Sequence, residues 1–267
     1  MKKTLILTVI VLLIGMSECK SHDFVAPTRI EKPVESKMVT EYVKDQLRYV
    51  EENKNDIQSI EKLYHSINHW WNLGVYVSSE TTRTITRALI KVFYNIENLP
   101  KSEANKNYII NIIGRYDNSL EAKGFILKLI TGRKEKYKEE ALRSISQHGV
   151  HGEDVYYKLK DFIKKGIITR TETMTALRRA NPEKALKDLQ EIAATTKDVK
   201  EFVWVGQTIC DYHNPELIDI LLMRIGEFKR SGDFEPTLAI DHKLLDKYIQ
   251  NAKGNKLKMA LLVKEMH

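Results

Sequence analysis

The sequence predicts an all-α fold, a solenoid of stacked helical hairpins, and three observations carry the prediction. One apolar spacing returns along the middle of the chain at intervals of 30 to 33 residues. A second run of helical periodicity precedes each return, with a polar or glycine breaker between the two. Composition agrees: 12 Gly and 6 Pro are too few for the turns of an all-β chain, and the abundant Lys, Glu, Leu and Ile favour helix. A chain that is 42% hydrophobic and 30% charged is too apolar for general disorder. Its formal charge of +7 biases it only modestly toward anionic surfaces.

The repeat is clearest from "YHNPELIDILLMRI", residues 212–225. Asn214 suits an N-cap, Pro215 the first helical position and Glu216 the positive end of the helix dipole. Counting from Asn214, apolar residues fall at plus four (Ile218), plus eight (Leu222) and plus eleven (Ile225), one face of a helix. The same offsets from Asn181 reach Ala185, Leu189 and Ile192. From His151 they reach Val155, Leu159 and Phe162, and from Asn118 they reach Ala122, Ile126 and Leu129. The runs "NKNYIINIIGRY", "YKEEALRSISQHG", "RTETMTALRRA" and "VKEFVWVGQTICDYH" supply the first helix of each hairpin. Asp117-Asn118, Gly149 with Gly152, Asn181-Pro182 and Asn214-Pro215 supply the turns. His213 is therefore turn punctuation: no chemistry recurs at the equivalent places, Tyr116, Gln147 and Ala180. One hairpin cannot bury its apolar face alone, whereas stacked hairpins bury it against each other.

The flanks continue the pattern. Residues 38–50, 54–73 and 80–97 read as helices, as do 238–251 and 255–266, with 229–237 ("KRSGDFEPT") as a longer polar link. The repeat domain is then 38–267, with the clearest repeats over 105–228. Cys210 falls in an apolar helical run and reads as a buried thiol.

"EEALRSISQHG" and "NPEKALKDLQEI" resemble HEAT-type or armadillo-like α-α repeats. The resemblance implies a right-handed α-α superhelix that holds a protein or peptide partner on its concave face and catalyses nothing. "WWNLG", with Trp70, Leu73 and Gly74, is similar to the start of a tetratricopeptide unit, but Val77 stands where its Tyr is expected and the match occurs once. Tyr76, Trp71, Tyr156 and Tyr157 are partner anchors by residue type.

The N-terminus reads separately. "MKK" and the apolar run Thr4 to Met16 form an export signal, too short to span a bilayer. "IGMSEC" resembles a lipobox, which implies a signal over 1–19, acylation of Cys19 and attachment to a bacterial cell-envelope membrane; Glu18 and Met16 depart from the usual pattern. Cleavage after Ser17 would instead give a soluble periplasmic or secreted product. Residues 20–37 hold two prolines without periodicity and read as a flexible tether.

No motif commits the chain to catalysis or to a cofactor. His148, His151, Glu153 and Asp154 match no zinc spacing, and His65 and His69 lack the glutamate of an H-E-x-x-H site because Ser66 holds its place. Neither a phosphate loop nor a G-x-S-x-G elbow occurs. The basic pairs Lys164-Lys165, Arg178-Arg179 and Lys229-Arg230, with Lys253, Lys256 and Lys258, read as solvated helix ends, so nucleic acid is not the expected partner. The fold with its tryptophans also resembles the HEAT-like alkylpurine DNA glycosylases, but no motif here matches their catalytic carboxylate.

Overall fold

The computed structural model describes residues 37–53, 56–72, 79–96, 102–230 and 235–265. The signal, Cys19, residues 20–36 of the tether, and Tyr76 lie outside them, as does the side chain of Trp71. The described residues form thirteen α-helices and no strand: α1 (Lys37–Glu52), α2 (Ile57–Asn72), α3 (Ser79–Asn95), α4 (Ser102–Tyr116), α5 (Leu120–Ile130), α6 (Glu135–Ser144), α7 (Glu153–Lys164), α8 (Arg170–Ala180), α9 (Pro182–Thr195), α10 (Val199–Cys210), α11 (Asp219–Arg230), α12 (His242–Asn251) and α13 (Gly254–Glu265). Two single-turn 3-10 helices cover Pro215–Ile218 and Glu235–Ala239. The fold is all-α. Among the described residues no helix is long and apolar enough to cross a membrane.

The apolar spacing is the burial pattern. Ala122, Ile126, Val155, Leu159, Ala185, Leu189, Ile218 and Leu222 are all buried, and Ile225 with them. Leu129, Phe162 and Ile192, the third members of the earlier triplets, are half-buried. Every substantial contact between α-helices joins neighbours one or two places apart in the chain. α2, α4, α6, α8 and α10 pack in succession, and α3, α5 and α7 do likewise beside them. The sequence period reappears in the hydrogen bonds. Lys136 donates to Glu103 33 positions away, Lys123 to Asp154 31 away, the His151 N–H to Asn118 Oδ1 33 away, and Tyr212 OH to the Pro182 carbonyl 30 away.

Helix ends show how the local sequence is read. Asn181 caps α9 through Lys184 N–H, with Pro182 at the first position. Thr169 and Glu172 form a reciprocal capping box at α8. Asn214 also caps, but Pro215 opens a 3-10 turn there, and the α-helix starts only at Asp219. The α5 cap is Ser119; Asn118 instead reaches across to the next hairpin. His213 has φ 53°, the left-handed residue that ends α10, with its N–H bonded to the Cys210 carbonyl. A β-branched side chain is poorly tolerated there, so His213→Val is expected to cost about 1–2 kcal/mol in urea unfolding.

The helix expected over 238–251 starts late, after a 3-10 turn. Thr237, Ala239 and Ile240 are buried against α10, and α12 begins only at His242. The approach is permitted by Gly206, where a Cβ would stand 2.5 Å from the Ala239 Cβ. Cys210 closes the contact. Its thiol, buried and free, donates to the Ala239 carbonyl at 3.6 Å and accepts from the Asp241 N–H at 3.5 Å, and burial pushes its pKa up to about 11.

Arginines tie successive hairpins at helix C-termini, where carbonyls lack partners. Arg224 on α11 donates to the Ala193 and Thr196 carbonyls at 3.2 and 2.6 Å, at the end of α9, and its guanidinium lies 5.0 Å from the Phe228 ring. Arg179 on α8 does the same for the Arg143 and Ile145 carbonyls at the end of α6. Arg224→Ala strips both α9 carbonyls of their donor and is expected to cost about 1–3 kcal/mol, read as a lowered urea midpoint at unchanged m.

Exposed ion pairs also join hairpins. Hydrogen bonds from Lys136 and Arg87 hold Glu103 and Glu121 below the ordinary 4.5. A lowered folded-state value means the contribution is present above the unfolded pKa and lost as pH falls through the folded one. Thermal scans from pH 5 down to pH 2.5 are therefore expected to show a Tm loss beginning near pH 4.5 that is smaller in Arg87→Ala.

Candidate partner-binding face

α2, α4, α6, α8 and α10 pack in succession, and their exposed side chains differ in composition from those of α5, α7 and α9. Over α2 and α4 they are aromatic. The Tyr64 and Tyr108 rings lie 5.1 Å apart, with His65 edge-on to both. Their polar atoms are tied down: Tyr108 OH donates to Glu61 at 3.1 Å, Tyr116 OH to Asn68 at 2.7 Å, and Arg115 Nη1 to Tyr64 OH at 3.4 Å. Burial pushes the Tyr116 hydroxyl up to about 12, so it stays a neutral donor.

Beyond Arg115 the face opens into a cleft of about 580 Å³ between α6, α8 and α10, with Leu142 and Met174 in its floor and Arg143, Arg179 and Trp204 on its walls. Its acidic groups are engaged: Glu135 with Lys138 at 2.7 Å, Glu139 with Arg143 at 3.8 Å, and Glu172 in the α8 cap. Arg115 and Arg179 bond only neutral groups among the contacts described, and burial together with neighbouring Arg178 and Arg115 holds the Arg179 pKa below its usual value. Trp204 is 55% exposed. Indole and guanidinium groups around an apolar floor are the residue types that anchor protein partners.

Trp204 is the residue that the sequence reading missed. It sits inside the run "FVWVGQTIC", whose apolar composition hides it. The signal was its register: Lys200, Trp204, Gln207 and Asp211 fall at i, i+4, i+7 and i+11 and are all exposed, opposite buried Phe202 and Ile209. The anchors chosen by residue type fare differently. Tyr156 is 3% exposed, its hydroxyl bonded to Asp188, so it is part of the core and not an anchor. Tyr157 is exposed but belongs to α7, outside this row, with the Lys184 ammonium 5.0 Å from its ring.

The histidine and basic groups are dispersed. His65 and His69 are exposed on α2, and His65 pairs with Glu61 at 3.8 Å. His148 and His151 lie in the connection between α6 and α7. Burial, then His151, holds His148 below its usual value, while His151 Nδ1 meets the Gly149 carbonyl at 2.6 Å. Glu153 and Asp154 pair with Lys184 and Lys123. Among the described residues no three His, Cys, Asp or Glu side chains form a group that could hold a metal ion. Lys165 pairs with Asp161, Arg178 with Asp211 and Lys256 with Asp219, while Lys164, Lys253 and Lys258 are exposed; the side chains of Lys229 and Arg230 lie outside the described residues.

Comparison with protein-family models, with curated proteins and with solved structures finds no match.

Proposed function

We propose that this chain is a non-catalytic scaffold, an α-α superhelix of HEAT-like hairpins that holds a protein or peptide partner along the α2–α10 face. The observation that carries the reading is Trp204, a large indole left in water beside a cleft whose guanidinium groups outnumber its free carboxylates. What supports an anchor role is the combination, an indole and guanidinium groups around an apolar floor, rather than exposure by itself. The extended row suits an elongated partner, as stacked repeats generally do.

The test is site-specific photocrosslinking in the native cell. A photoreactive residue in place of Trp204 should give adducts of defined mass, and one in place of exposed Lys187 on α9 should not. The partner so identified should bind Trp204→Ala at least tenfold more weakly, the loss expected of an anchor worth about 1.4 kcal/mol or more. Equal crosslinking from the two positions would refute the face.

The export reading belongs to the same proposal. It rests on the basic start, the apolar run Thr4 to Met16 and Cys19. Mass spectrometry of the mature N-terminus is expected to find acylated Cys19. A free Glu18 terminus would mean a soluble exported product, and an intact Met1 would contradict export.

A further inference from the structure

A second pocket lies between α7, α9 and α8, sharing only Met174 with the cleft on the partner face, and three separate features of the fold meet there. The buried core is in two parts, one running from Val43 to Ala185 and the other from Met174 to Val263. Their seam falls at α8 and α9, each of which contributes to both. At the same seam helix packing loosens. α5 packs on α7 and α9 on α11, yet α7 and α9 are not among the substantially packed pairs. Polar side chains bridge them instead: Tyr156 and Lys160 to Asp188, and Lys184 to Tyr157 and Glu153. Between the bridges and the floor made by α8 is a pocket of about 300 Å³. That is the lower end of the range for small-molecule sites, roughly 300–1,000 Å³.

Its walls come from both core clusters, Ile163 and Leu177 from one, Met174, Leu189 and Ile192 from the other, so the interior is aliphatic throughout. Its charged rim is mostly basic: Lys160, Lys164 and Arg170 against Asp188. Lys160 is already paired with Asp188, and Arg170 spends one N–H on Glu201 at 3.3 Å. Lys164 is exposed and in no ion pair among the described residues, and Arg170 keeps further donors in its guanidinium fork. The surplus is enough for one unit of negative charge beside an apolar slot, and that combination selects an amphiphile. We propose that this pocket binds a linear aliphatic carboxylate of about ten carbons, its chain between α7 and α9 and its carboxylate at Lys164 and Arg170.

The experiment titrates the full chain with decanoate by isothermal calorimetry, which should show saturable binding at one site per chain. Each methylene added between octanoate and decanoate should tighten binding roughly fourfold. Decanol, which lacks the charge, should bind at least tenfold more weakly than decanoate. Ile163→Trp fills the slot and should abolish binding, and Lys164→Glu, a surface change, should weaken it at least tenfold. Trp204→Ala should leave it unchanged, which separates this site from the partner face. Absence of a saturable signal would overturn the proposal. So would wild-type affinity in Lys164→Glu together with decanol as strong as decanoate, an outcome that marks adventitious apolar binding; the Lys164 result stands alone if Ile163→Trp does not fold.

Discussion

Phe202→Ala is expected to remove about 3–5 kcal/mol of stability, the largest truncation loss among the fully buried side chains of the described residues. Phe202 is fully buried in α10 and heads the largest enclosed side chains. Its ring packs on Phe228 of α11 at 5.1 Å, so it locks the two helices of one hairpin together. α10 itself touches α8, α9 and both 3-10 turns, which leaves few routes for the surroundings to collapse into the gap. A total stability of roughly 5–15 kcal/mol makes this a large fraction of the whole. Equilibrium urea unfolding followed by circular dichroism measures it. Phe202→Leu, which keeps most of the volume, should lose less than half as much. A loss below about 1 kcal/mol in Phe202→Ala would mean that the second core cluster is not packed as described.

Gly149→Ala is expected to cost about 3 kcal/mol, far more than the added methyl suggests. The connection between α6 and α7 lies directly on the end of α4, where the Val150 N–H bonds the Gly114 carbonyl at 2.8 Å and Ser146 Oγ donates to the Arg115 carbonyl at 2.9 Å. A Cβ on Gly149 would stand 2.2 Å from the Gly114 carbonyl oxygen and 2.3 Å from the Arg115 carbonyl carbon. Those are backbone atoms and cannot turn aside, so either the connection lifts off α4 or the helix end shifts. Gly124→Ala is the matching control: it meets nothing within 4 Å on the exposed face of α5 and should stabilise by about 0.5–1 kcal/mol through helix propensity alone. Opposite signs for one chemical change at two glycines isolate the close approach as the cause. Thermal unfolding of the two variants side by side provides the reading.

These two residues show what sequence could and could not supply. The apolar triplets were legible because burial on one face of a helix imposes a 3.6-residue period, and Val155, Leu159, Ala185 and Leu189 are buried as that period requires. Gly149 was legible only as a turn residue. That another backbone rests on it depends on a partner segment 35 residues earlier, and no local pattern encodes such a contact. The close approach of Ala239 to α10 was hidden for the same reason: residues 238–251 read as one helix, and nothing local shows that Gly206 leaves room for a 3-10 turn before His242. The candidate face was least legible. Tyr156 and Trp204 are both large aromatics in amphipathic helices, and only helical register separates the buried one from the exposed one. Arg115 and Arg179 meet in one cleft because α4, α6 and α8 pack in order, which comes from stacking and not from either residue's neighbours in the chain.

The proposal that hairpins layer in line is tested most directly by distances between equivalent positions. Glu121, Glu153, Glu183 and Glu216 are exposed near the starts of α5, α7, α9 and the turn before α11, and take spin labels after replacement by cysteine in a chain with Cys19 changed to serine. Adjacent helices lie roughly 8–10 Å apart, so pulsed dipolar spectroscopy should find Glu121 farther from Glu183 than from Glu153, and farther again from Glu216, by roughly 10 Å per hairpin. A Glu121–Glu216 distance no longer than Glu121–Glu183 would mean that the helices close around a common centre, and the stacked account would fall.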